Sequence, residues 1–206
     1  MSGLKKTATT SAPIHGLIGE RWSPRAFADR PVEPEKLRSL FEAARWAASS
    51  YNGQPWIFIV GTKDHPEDYK RVLDCFVEFN QSWAKSAPVV ALSVAKLKFE
   101  HNGEMNRHAF HDVGAAAATL TIQAEALGLA VHQMGGILPE KAREIFGIPE
   151  GYEAVAGIAI GYPGEAHTLP DHLKEPEVAP RERKALNSFV FSGKWGKVAP
   201  IVGGKP

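Results

Sequence analysis

The sequence predicts a single α+β domain in which helices and strands are interleaved without the strict alternation of a doubly wound parallel fold. Three observations carry that prediction. Apolar residues at helical spacing follow Pro34 and Pro66; short apolar runs such as Trp56–Val60 and Val89–Ala95 read as strands; Gly and Pro punctuate the joins. With 206 residues, 44% of them hydrophobic, one domain spanning residues 1–206 is expected, with a core large enough to admit a buried cofactor.

Taken in order, residues 1–13 are small and polar and are expected to be flexible, and Ile14–Glu20 forms a short helix leading into Arg21. Pro34 opens a second helix, with Leu37, Leu40, Phe41, Ala44 and Ala48 on one face, ending near Ser49 before the turn-forming Asn52-Gly53. Trp56–Val60 is a strand closed by Gly61. Pro66 starts a helix carrying Tyr69, Val72, Leu73, Phe76 and Val77, and a short helix over Phe79–Lys85 follows. Val89–Ala95 is apolar throughout, as a strand buried on both faces must be. The polar stretch Lys96–His111 precedes a long helix from Asp112 to Leu127. Val131–Met134 is a short strand ending at Gly135-Gly136, Pro139–Phe146 a helix stopped by Gly147, and Glu153–Ile160 the last core strand. Pro163–Pro180 is Pro-rich and polar and is expected to begin an extended arm, residues 163–206, which wraps the surface or crosses to a partner.

Composition excludes several classes. Lys and Arg number 24 against 23 Asp and Glu, a formal net charge of +1, whereas nucleic-acid binding draws on a marked basic excess. Val113–Leu129 is interrupted by Gln123 and Glu125 and is too short and polar to cross a membrane. The N-terminus lacks the apolar run of a signal peptide, so a cytoplasmic location is expected. Cys75 is the only cysteine. It sits among Val72, Phe76 and Phe79 and reads as a buried structural thiol. His101, His108 and His111 share one stretch but lack metal-ligand spacing, so no metal site is expected. No catalytic acid–base pair or Ser-His-Asp set is indicated by spacing.

Four short constellations remain. In an extended Arg21-Trp22-Ser23-Pro24-Arg25, alternate residues face one way, so two guanidinium groups and a hydroxyl project together, suited to a phosphate and a polyol. Ser49-Ser50-Tyr51-Asn52-Gly53-Gln54-Pro55-Trp56 joins a helix end to a strand with a dense set of small polar groups. Gly135-Gly136 leaves backbone N–H groups open to a planar ligand at a strand end. Arg181-Glu182-Arg183-Lys184 offers a second pair of guanidinium groups. Each piece alone also fits a solvated segment or ordinary turn chemistry.

Together, and in this order, they resemble the FMN-dependent nitroreductase family. Phe79-Asn80-Gln81 before Ala87-Pro88, Asp112-Val113-Gly114, Gly161-Tyr162-Pro163 and Trp195-Gly196 extend the resemblance over Ile14–Gly196. It implies a mixed central sheet flanked by helices, a C-terminal arm exchanged across a homodimer, and two FMN sites in the subunit interface. Arg21, Ser23, Arg181 and Arg183 would hold the phosphate and ribityl chain, with Trp22 a further cofactor contact in the same segment; Arg25 would face the flavin N1–C2=O edge, and Asn80 the pyrimidine ring. Gly135 would aim its N–H at N5 beside Gly136, and Ser49, Ser50 and Asn52 would come from the partner. Tyr51, His108 and Phe110 are the candidate substrate contacts. Where some members carry a second cation near C2=O, this sequence has Trp83, which predicts a lowered flavin potential and leaves Arg25 as the main positive charge there.

The implied activity is ping-pong: NADH or NADPH passes hydride to flavin N5, and a nitroaromatic, quinone or similar electron-poor acceptor then takes its place. The cofactor carries the chemistry, so no side chain is assigned a catalytic role. Dehalogenation, enoate reduction and flavin breakdown on the same fold remain open alternatives. So do a flavin-binding protein without turnover and an interaction protein that binds no flavin.

Overall fold

A strand made only of apolar residues needs cover on both sides, and Val89–Lys96 receives it. In the computed structural model, which describes residues 6–203, this strand (β2) lies between β1 (Trp56–Thr62) and β4 (Tyr152–Gly161). The fourth strand, β3 (Ala130–Met134), completes the order β1-β2-β4-β3. Alternate residues of β2 face opposite layers: Val90, Leu92 and Val94 join one apolar cluster, Val89 and Ala91 the other.

The first layer contains α3 (Pro66–Leu73), α4 (Glu78–Ala84), α6 (Pro139–Phe146) and α7 (Asp171–Val178), which contribute Val72, Trp83, Ala142 and Leu173 to the core around Phe76. The second contains α2 (Pro34–Arg45) and α5 (Ala109–Ala126), whose Leu40, Ala44, Ala116, Leu120 and Ala124 pack on Val131, Ile158 and Ile160. Leu40 and Leu120 are fully buried, and truncating either to alanine removes about 2–5 kcal/mol. The short α1 (Gly16–Glu20) is capped by His15, whose Nδ1 accepts the Leu17 N–H at 3.2 Å. Among the described residues, no helix is long and apolar enough to cross a membrane.

The α+β expectation and the strand positions hold, and several boundaries move for identifiable reasons. The pairings among the four strands are antiparallel, with no parallel component to make the sheet mixed. β2 re-enters the sheet beside the end of β1, with Thr62 opposite Val89, and β4 beside the end of β2, with Lys96 opposite Tyr152. Helix α2 stops at Arg45 rather than Ser49, because the chain turns to bring the Ser50 N–H onto Asp112 Oδ2 at 3.0 Å. Helix α3 stops at Leu73, and Phe76 instead bridges Ile137 while the Val77 N–H donates to the Gly136 carbonyl.

Helix α5 begins at Ala109, three residues before Asp112, where the buried Asn106 side chain accepts the His108 N–H. The preceding polar stretch doubles back on itself through a Lys98–Met105 bridge. Pro163–Pro180 is not wholly extended, since α7 forms within it despite Pro176. Leu169, Leu173 and Glu177 fall at successive i+4 positions and are all buried, so tertiary burial overrides the poor helix propensity of the segment. Residues 1–5 of the expected flexible N-terminus and 204–206 of the arm lie outside the described residues.

Candidate functional site

The segment Arg21–Arg25 lies across the sheet edge at β3 and is held from below. The His132 ring, on β3, donates from Nδ1 to the Pro24 carbonyl at 2.9 Å and packs against Trp83 in a tilted contact with centroids 4.5 Å apart. Burial, ahead of the nearby Arg25 and Arg21 charges, lowers the His132 pKa to about 4, so the ring is neutral at pH 7. From the other side, Glu177 Oε1 accepts the backbone N–H groups of Arg25 and Ala26 at 2.8 and 3.0 Å.

Held this way, the segment meets the second basic cluster. Arg21 donates to Ser23 Oγ at 3.3 Å, and burial followed by the charges of Arg181 and Arg183 lowers its pKa. Arg181, likewise lowered by burial and then by Arg183, donates to the carbonyls of Lys6 and Gly19 at 2.6 and 2.8 Å. Lys6 adds a further cation: it lies 4.7 Å over the Trp22 ring and donates to the Glu177 carbonyl. Burial lowers the Lys6 pKa, with Glu177 opposing and Arg181 and Arg25 adding to the shift. Glu125, near the end of α5, is the acidic group that offsets part of this repulsion at Arg21 and Arg181. A chain of net charge +1 thus concentrates Lys6, Arg21, Arg25, Arg181 and Arg183 on one side. Such repulsion is relieved when an anion binds.

Beyond β3 the surface changes character. The Asn80 amide, nearly buried, donates to the Gly136 carbonyl at 2.9 Å. A Cβ on Gly136 would lie 2.5 Å from Asn80 Nδ2 and 2.9 Å from Val77 Cγ2, so only glycine fits beneath this amide. A Cβ on Gly135 meets nothing within 4 Å, which leaves that backbone open to an approaching ring. The basic segment is tied to β3 through His132, and a polar amide and an open glycine follow the end of that strand, a donor set that fits FMN and to which the buried, unpartnered Arg25 Nε adds.

The serine loop lies elsewhere. Ser49 Oγ accepts the Gln54 N–H at 3.0 Å, and Asp112 pins Ser50. Tyr51, Asn52 and Gln54 all take positive φ, a strained run of backbone. Tyr51 is exposed and meets Phe99 edge-on at 5.7 Å, with His101 against both rings. Asp112 lies in the first turn of α5 and Glu125 in its last, so a rise of thirteen residues along the helix separates the loop from the arginines by roughly 20 Å at about 1.5 Å per residue. One chain does not bring Ser49, Ser50 and Asn52 to Arg21. His108 precedes α5 and Phe110 sits exposed in its first turn, near the serine loop rather than near the arginines.

Trp83 is not on the ligand face. It is 1% exposed and belongs to the core, so a lysine there would bury its ammonium rather than present it. Lys6, His132 and Glu177 support the basic segment without having been singled out from the sequence, and Asp112, noted there only as a helix start, pins the serine loop. Only the i+4 run Leu169–Leu173–Glu177 left a pattern by which one of them was legible.

This geometry sets a cluster of cations and an open glycine pair at one edge of an antiparallel α+β core. Residues 18–162 match the model of the nitroreductase family, and the chain belongs to that family. The major NAD(P)H-flavin oxidoreductase of Aliivibrio fischeri is 30% identical, over 86% of this chain and 96% of that protein. A 15.4 kDa protein of Mycolicibacterium smegmatis is 41% identical across 44% of this chain, which spans 60% of that relative. Among solved structures, an oxidoreductase containing FMN is 35% identical with a TM-score of 0.86, covering 95% of this chain and 98% of that one.

Proposed function

We propose that this protein is an FMN-dependent NAD(P)H oxidoreductase that reduces small electron-poor acceptors, nitroaromatics and quinones among them, by a ping-pong cycle. The observation that carries the proposal is the convergence of Arg21, Arg181 and Arg183, whose mutual repulsion calls for a bound anion. Its position beside Asn80 and the open Gly135 favours a phosphate attached to a flat heterocycle. Bound there, FMN supplies the hydride-accepting and hydride-donating chemistry. The chain's own residues bind and orient: Arg21, Ser23, Arg181 and Arg183 take the phosphate and ribityl chain, and Trp22 packs beside them. Arg25 places positive charge at the N1–C2=O edge, Asn80 addresses the pyrimidine, and Gly135 and Gly136 let the ring approach the backbone.

The working unit is a homodimer. Along α5, Phe110, Gly114, Ala118, Ile122 and Ala126 form an i+4 ridge that faces away from the core, with Phe110, Gly114, Ala118 and Ala126 exposed. Small residues in such a ridge allow close helix–helix packing. Two copies packed antiparallel on this ridge bring the Ser49, Ser50 and Asn52 loop of one to the arginines of the other. Tyr51, His108 and Phe110 then border the cofactor from the partner side as substrate contacts. The arm that follows α7, with exposed Phe189 and Trp195, has apolar surface to lay on the second subunit.

Purified protein is expected to carry a flavin spectrum, or to take up FMN when it is added. Replacing Arg21 and Arg183 together by alanine should weaken FMN binding at least a hundredfold while leaving thermal stability within a few degrees. Colourless protein that stays apo with excess FMN refutes the proposal. Holoprotein should oxidise NADH or NADPH in the presence of nitrofurazone or a quinone. FMN-loaded protein that neither nicotinamide reduces is a flavin binder without turnover.

A further inference from the structure

Glu177 is a carboxylate buried to 2% exposure, on the short helix α7 that the sequence disguises as a proline-rich loop. Its Oε1 takes both backbone N–H groups at Arg25 and Ala26. Its Oε2 has no hydrogen-bond partner and lies 4.0 Å from Arg25 Nη1, and Arg25 Nε is buried without a partner as well. A carboxylate and a guanidinium free to pair normally meet through a two-pronged contact. Here the two are side by side, yet one prong of each is unused. A second cation facing Glu177 is Lys6, whose ammonium is spent on the main-chain carbonyl of Glu177. Glu177 therefore grips the backbone of Arg25 firmly and its side chain loosely, leaving the guanidinium, 28% exposed, able to address something else.

We propose that Glu177 is a positioning residue that sets where Arg25 stands against the flavin and how much positive charge it presents. This rests on the FMN reading given above. FMN gains negative charge at its N1–C2=O edge on reduction, and positive charge there favours the reduced form. A buried carboxylate behind Arg25 cancels part of that charge. Glu177 thus holds the potential of the bound flavin down, while its two backbone contacts keep Arg25 within reach.

The test compares FMN-loaded wild type with Glu177→Gln and Glu177→Asp, measuring FMN affinity by fluorescence quenching and flavin potential by equilibration with a reference dye. Glu177→Gln keeps an acceptor for both N–H groups and removes the charge. It should shift the two-electron equilibrium toward reduced flavin by about tenfold, about 30 mV. A shift below twofold, or one in the opposite direction, overturns the proposal. Glu177→Asp keeps the charge but withdraws it by one methylene from the Arg25 and Ala26 amides. It should weaken FMN binding at least fivefold and move the dye equilibrium less than twofold, whereas unchanged affinity overturns the positioning role even if the glutamine variant fails to fold. A residue that only stabilised the fold would alter melting temperature without moving the potential. Wild type that takes up no FMN refutes the cofactor reading itself, and the inference with it. Wild type that binds FMN beside a Glu177→Gln variant of unchanged potential refutes the inference alone.

Discussion

His132 offers a direct measure of how tightly the Arg21–Arg25 segment is held. The ring is neutral because burial and two neighbouring arginines oppose its protonation, with a pKa of about 4 in the folded chain against 6.5 when unfolded. The folded value is depressed, so at neutral pH neither state binds the proton and stability is unaffected. Below pH 6.5 the unfolded chain takes up a proton that the folded chain refuses, and stability falls until the folded ring also titrates near pH 4. At pH 4.5 this linkage amounts to roughly 2–3 kcal/mol, approaching roughly 3–4 kcal/mol at lower pH. Carboxylates whose pKa values are held near 2, such as Glu33 through Tyr162 and Glu42 through Arg45, lose their contribution at lower pH still, below about 4.5. The interval from pH 6.5 to 4.5 therefore isolates the histidine. Urea unfolding at the two ends of that interval should show the loss in wild type. It should be largely absent from His132→Asn, whose amide can still donate to Pro24 but does not titrate. Equal losses in the two proteins would show that the ring is not buried against Trp83 as described.

Two further outcomes follow from the packing. Gly136→Ala should destabilise the fold by about 1–3 kcal/mol and weaken FMN binding, because the new methyl displaces Asn80 and Val77; unchanged chemical denaturation and affinity would contradict the close approach. Ala118→Arg places a charge on the exposed ridge of α5 without disturbing its buried face. It should yield folded monomers by light scattering with FMN affinity reduced at least tenfold, and a dimer that persists would place the subunit contact elsewhere.

Local chemistry makes much of this molecule legible in the sequence alone. The periodicity after Pro34 and Pro66, the apolar run of β2 and the glycines after β3 and α6 placed most elements within a few residues, since each signal is contained in its own segment. The ordered set of Arg21, Ser23, Arg25, Asn80, Gly135, Arg181 and Arg183 pointed to the family for the same reason. Tertiary structure decided what depends on distant partners. Asp112 ends α2 early by capturing Ser50, and the pairing of Phe76 with Ile137 stops α3. Burial of Leu173 and Glu177 makes a helix of a proline-rich stretch, and Trp83 turns into the core instead of standing at the surface as a second cation would. Only the fold shows that Arg25 is held by a carboxylate 152 residues away and that the serine loop and the arginines occupy opposite ends of α5. Residue types announce what chemistry is possible, but a charge takes its working value from the groups that burial brings beside it, and sequence spacing carries no record of those distances.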